Sequence, residues 1–213
     1  MKTETLINRL SANLEPVHPQ QVPRIIAAAV ITGSVTATAL VFYAIGVRWD
    51  LSEPSVLIVV IAKLTFTVAV VALATTFLAK LARPGGENGT PLSLLSVPFI
   101  VLVLVATVGL LLQPSTYWDG MMMGERWLEC LLAIPAAAVV PFAAMIWAVR
   151  QAAPTDLRRT GALIGIAAGG VSATAYALHS TEGLLPFVAI WYGSGIALCA
   201  IAGAKLGPRL LRW

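Results

Sequence analysis

SVLIVVIAKLTFTVAVVALATTFLA, residues 55–79, is one unbroken apolar stretch with a single charge, Lys63. A helix that crosses a bilayer needs roughly 20 apolar residues, and this segment supplies them. Five more windows of that size lie around it, at 25–47, 92–112, 128–149, 161–178 and 184–204. Hydrophobic residues make up 58% of the chain and charged residues 11%, a balance that excludes a soluble globular domain. The expected fold is an all-α integral membrane protein whose six transmembrane helices form three hairpins. The bundle covers 25–206, a short amphipathic cytoplasmic helix and a proline-rich tether occupy 1–24, and a basic tail closes the chain at 207–213.

Orientation follows from the cations. Lys2, Arg9 and Arg24 precede the first window, Lys80 and Arg83 follow the second, Arg150, Arg158 and Arg159 the fourth, and Lys205, Arg209 and Arg212 the sixth. The alternate loops hold only Arg48 and Arg126, among the acids Asp50, Glu53, Asp119, Glu125, Glu129 and Glu182. Basic loops stay in the cytoplasm, so both termini are expected inside. The net charge of +4 then marks topology and gives no reason to expect nucleic-acid binding. The first window is too long and too deep in the chain for a cleaved secretory signal.

In the head, Leu6, Ile7, Leu10 and Leu14 recur at helical spacing. Pro16, Pro19 and Pro23 then read as an extended tether. A helix this short is marginal alone in water and should order only against a partner, the bilayer or the rest of the chain. Pro98, Pro135 and Pro141 fall inside windows. Gly161, Gly165 and Gly169 form two overlapping GxxxG steps, and Gly195, Cys199 and Gly203 form a second small-residue stripe. Such stripes let helices approach closely, within one chain or between two.

No HExxH, GxSxG, Walker loop or CxxC is present, which points away from an enzyme. The outer loops and outer helix ends collect Met121, Met122, Met123, Cys130 and His179. Thioether, thiolate and imidazole suit a soft metal ion such as copper(I), and the thiol is readily oxidised. The bland alternative is that the methionines are interfacial hydrophobes and Cys130 a packing residue. Cys199 lies mid-span among small apolar residues and should be inert. Lys63 sits about 12 Å below the outer boundary at 1.5 Å per residue. A buried ammonium must snorkel or find a partner, with Glu129 and Glu182 as candidates. A structural ion pair and a functional role are both open for it.

Several features, in order, carry a family resemblance. They are the opening Met1-Lys2-Thr3 with its amphipathic helix and proline tether, Lys63-Leu64-Thr65-Phe66-Thr67, and Trp127-x-x-Cys130. Within 147–182 stand Arg150-Gln151-Ala152-Ala153-Pro154-Thr155 and Ala173-Thr174-Ala175-Tyr176-Ala177-Leu178-His179. Trp191-Tyr192 and the closing Leu210-Leu211-Arg212-Trp213 complete the set. The chain resembles the bacterial six-span anti-sigma factors of the NrsF type, negative regulators of an extracytoplasmic-function sigma factor. The resemblance implies an inner-membrane protein whose N-terminal segment holds the sigma factor, with Leu6, Ile7, Leu10 and Leu14 as its apolar anchors. It also implies release on a periplasmic metal or oxidative signal sensed by outer cysteines. Cys130 matches one sensor cysteine. Ser180 stands where the family usually has the second, so the expected sensor is Cys130 with His179 and the neighbouring methionines. No cofactor is expected beyond regulatory binding of a soft metal.

The expected coupling runs through Pro135 and Pro141, directly inward of Cys130. The rival reading is a small inner-membrane metal or solute transporter, suggested by the outer methionines and Lys63. Against it, Lys63 is nearly alone as an intramembrane polar group, whereas permeation paths show several. A structural subunit of a larger complex is a third possibility.

Overall fold

A computed structural model describes residues 3, 21–46, 54–82, 91–152, 154–180 and 184–212. Among these residues every regular element is helical. Six helical segments are long and apolar enough to cross a membrane. We label their main helices α1 (Gln21–Ile45), α2 (Pro54–Leu81), α3 (Val97–Leu111), α4 (Trp127–Arg150), α5 (Leu157–His179) and α6 (Gly193–Leu210). A 3₁₀ turn, Leu92–Ser96, leads into α3, and a short helix, Trp118–Met123, joins α3 to α4. Leu185–Phe187 and a π-helical turn, Val188–Tyr192, lead into α6.

Helix boundaries depart from the apolar windows for identifiable reasons. α1 begins at Gln21, so Pro23, expected in an extended tether, lies in the first helical turn. Proline costs nothing there because the first amides have no intrahelical acceptor. Pro98 likewise falls at the start of α3. α5 begins well before its window because Asp156 caps it, accepting from the backbone N–H groups of Arg158 and Arg159 at 3.1 and 2.9 Å. α6 continues to Leu210, so the first residues of the basic tail extend the last helix. Pro135 and Pro141 both lie inside an unbroken α4.

The most extensive packing is between the chain neighbours α5 and α6, whereas α1 packs chiefly on α4 and α2 chiefly on α5 rather than on each other. α5 is the hub. It packs along α6, α2, α4 and α1, and 78% of its apolar window is buried, against 11% for the third. Its composition allows this, since an axis of Gly161, Gly165, Ala168, Gly169 and Gly170 lets four helices approach one backbone. The two glycine stripes meet within this one chain. A Cβ on Gly165 would overlap the Cys199 carbonyl, and one on Gly207 would lie 2.6 Å from the Leu157 oxygen. α1 meets α4 where a Cβ on Gly33 would lie 3.0 Å from Pro141. By contrast α3 exposes Ile100, Val103, Leu104 and Val108, a face suited to lipid tails.

Candidate functional site

The end of the bundle that holds His179, formed by α1, α2, α4, α5 and the π-helical turn, gathers the polar and aromatic residues that the apolar windows could not organise by themselves. α1 ends at Gly46, whose φ of 98° turns the chain in the left-handed region that glycine alone enters freely. The turn aims the Gly46 carbonyl at His179 Nδ1, 2.8 Å away. A carbonyl can only accept, so Nδ1 carries the hydrogen of this bond. Nε2 is buried and has no hydrogen-bond partner among the described residues.

Next to His179, the C-cap residue Ser180 leaves α5 in an extended conformation. Its carbonyl accepts from Lys63 Nζ at 3.4 Å. Lys63 is fully buried. An ammonium facing the carboxyl end of a helix meets both an orphan carbonyl and the negative end of the helix dipole. Three spans are therefore tied at one level, α2 to α5 through Lys63 and α1 to α5 through His179. Of the partners expected for Lys63, Glu129 pairs instead with Arg126 at 3.8 Å, and Glu182 lies outside the described residues.

Cys130 is fully buried in an apolar cluster with Phe66, Ile134, Tyr176, Phe187 and Tyr192. The Tyr176 ring lies 6.2 Å from that of His179 and 5.8 Å from that of Tyr192, so one aromatic shell borders both expected sensor residues. Trp191 forms the lid of this shell. It stacks on Trp127 at 4.9 Å and donates from Nε1 to the Met122 carbonyl at 2.9 Å. The methionine helix is thus fastened to this end of the bundle by its backbone, with Met123 half-exposed and Met121 and Met122 partly buried. Neither Cys130 nor Cys199 forms a disulfide. Cys199 lies well inward, against the axis of α5.

Among the described residues no three His, Cys, Asp or Glu side chains group as a metal site. The expected partner-binding residues Leu6, Ile7, Leu10 and Leu14 lie outside the described residues. The Gly46 and Ser180 carbonyls, the tryptophan pair and the π-helical turn were not anticipated. Backbone acceptors leave no trace in residue type, although Trp127, just before the window 128–149, is a recognisable interfacial signal.

With this geometry in view, the comparison with known proteins is specific. The family described as "NrsF: Negative regulator of sigma F" matches residues 10–213. The chain belongs to the NrsF family. Two relatives in that family align over the whole of this chain and the whole of their own. The probable anti-sigma-F factor NrsF of Azospira oryzae is 31% identical, and the anti-sigma-F factor NrsF of Caulobacter vibrioides is 28% identical. Both are named as regulators rather than enzymes. No solved structure matches this NrsF-family chain.

Proposed function

We propose that this NrsF-family protein is an anti-sigma factor of the bacterial inner membrane, with both termini cytoplasmic. It holds an extracytoplasmic-function sigma factor through its N-terminal segment. The observation that carries this reading is the end-to-end likeness to two proteins named as anti-sigma-F factors. The basic residues Arg24, Lys80, Arg150, Arg158 and Arg159 at one end of the bundle support the orientation. Leu6, Ile7, Leu10 and Leu14 form the apolar stripe that docks into a groove on the sigma factor.

The test is co-purification of the sigma factor with the full-length membrane protein. The wild type should retain it. A Leu6→Asp, Leu10→Asp, Leu14→Asp variant should lose it and derepress the sigma-dependent genes, because three carboxylates replace the apolar stripe. Retention by both proteins would move the contact to the inner loops. Retention by neither would reject the anti-sigma reading.

Release begins at the outer end. A metal ion or oxidant acting at Cys130 and His179 favours a bundle arrangement that differs from the resting one, since only differential affinity shifts an equilibrium. Cys130 is buried, so the signal must open the Trp127–Trp191 lid to reach it. His179 Nε2 would be the nitrogen ligand and Cys130 the sulfur ligand of a soft cation, with the methionine thioethers adjacent. Cys130→Ser is expected to keep repression and lose induction by copper salts or peroxide, read with a reporter of the sigma-dependent promoter. Normal induction in that variant would remove Cys130 from the sensor.

A transporter fits less well. The hydroxyls of Thr32, Thr36, Thr65, Thr75, Thr107 and Thr174 all donate to carbonyls of their own helices. Each of these hydroxyl hydrogens is satisfied within its own helix, so these residues require no polar path.

A further inference from the structure

Two features of the α4–α6 face, an apolar groove along the span and a cluster of cations at the Arg150 end, lie on one side of the bundle. Between α4 and α6 lies an open apolar groove of about 500 Å³, floored by Ala168 of α5 and walled by Val139 and Phe142 on one side and Leu198, Ala202 and Leu206 on the other. At 3.6 residues per turn, Arg150 lies within about 20° of Val139 around α4. On α6, Lys205 lies within about 20° of Leu198, and Arg209 within about 20° of Ala202. The three cations therefore continue the groove's own stripes to its inner mouth. All three are exposed.

The mouth is also held together. Arg150 Nε donates to the Leu210 carbonyl at 2.6 Å, which fixes the guanidinium across the α4–α6 gap and commits one of its five donors. Asp156, the only described carboxylate at this end, is taken up by the Arg158 and Arg159 amides and by the Arg159 guanidinium at 3.0 Å. The cations of the mouth thus have no carboxylate of their own among the described residues of this end.

Cations at helix ends are ordinary in membrane proteins, and an apolar groove facing lipid is equally ordinary. Here the two coincide on one face, and together they match an amphipathic anion. We propose that the α4–α6 face is a binding site for one anionic phospholipid. Its phosphate rests on Arg150, Lys205 and Arg209, and an acyl chain lies along Val139, Phe142, Ala202 and Leu206. Basic pockets between spans at the headgroup level take anionic lipids in this way. A second copy of the chain is disfavoured. A two-fold axis along the membrane normal would bring identical patches together and set the same three cations against each other. The site is independent of the regulatory reading and of which side of the membrane the inner end faces.

The experiment uses the full-length protein in micelles, titrated with dioleoyl phosphatidylglycerol or dioleoyl phosphatidylcholine, with bound lipid counted by native mass spectrometry. The wild type should retain one phosphatidylglycerol per chain, roughly tenfold or more tighter than phosphatidylcholine. The preference should shrink as salt is raised. Lys205→Gln with Arg209→Gln should bring phosphatidylglycerol down to the phosphatidylcholine level while unfolding at the wild-type temperature in phosphatidylcholine micelles. Ala202→Phe should weaken both lipids by filling the groove. Equal retention of the two lipids by the wild type would overturn the proposal, as would a preference that survives in the glutamine variant. Stabilisation by inorganic phosphate equal to that by phosphatidylglycerol would replace the lipid with a free anion. A chain dimer broken by Ala202→Phe would replace it with a second copy.

Discussion

Gly165→Leu should prevent α5 and α6 from closing on each other and leave little folded protein in the membrane. At this position an added Cβ overlaps the Cys199 carbonyl, and the Cys199 carbon and the Ala200 Cα follow at 2.7 and 3.0 Å. All three are backbone atoms, which cannot turn aside as a side-chain tip can. Helix association in lipid rests on close packing without a hydrophobic drive between helices. Separating the two backbones therefore removes the interaction rather than merely loosening it. Gly165→Ala alone should cost about 1–3 kcal/mol, the usual range for overpacking, and leucine more. Gly193 is the control, because a Cβ there meets nothing within 4 Å, so Gly193→Ala should be neutral or slightly stabilising. The readout is the unfolding temperature in micelles together with accumulation in the membrane. Unfolding of Gly165→Leu and Gly193→Ala at the same temperature would show that the two helices do not meet along this seam.

Lys63→Met is the second large effect. The substitution keeps the bulk, removes the charge and deletes the Nζ hydrogen bond to the Ser180 carbonyl at a site where Lys63 is 0% exposed and Ser180 3%. Losing a hydrogen bond from a charged group costs about 1.5–3 kcal/mol. Lys63→Glu should cost more, because a carboxylate would face the negative end of α5. The expected result is a lower unfolding temperature for methionine and failure to accumulate for glutamate. It should be accompanied by faster amide exchange at the His179 end of α5 than at its Leu157 end. A buried ion can sometimes be replaced by an apolar residue without loss. Wild-type stability in Lys63→Met would therefore demote the contact from a structural tie to a tolerated one.

The same two positions mark what could be read in advance. Six apolar windows, the alternation of Lys and Arg and the glycine spacing on α5 are properties of residue order. They determine spanning helices and a close-packed face because bilayer thickness and helical pitch are constant. Lys63 was legible as an oddity, since any charge in such a window demands an explanation. Cys130 and His179 stood out in the sequence by residue type alone, and the structure places them at one end of the bundle around Tyr176.

Tertiary structure decided the rest. Nothing in the order of residues says that the GxxxG stripe of α5 would face α6 of the same chain, or that α1 would pack on α4 and α2 on α5 rather than on each other. In lipid every apolar helix face is equally comfortable, so partner choice depends on which backbones fit closest. The acceptors for Lys63 and His179 are the Ser180 and Gly46 carbonyls. Every residue carries such a group, so only the path of the chain could select them.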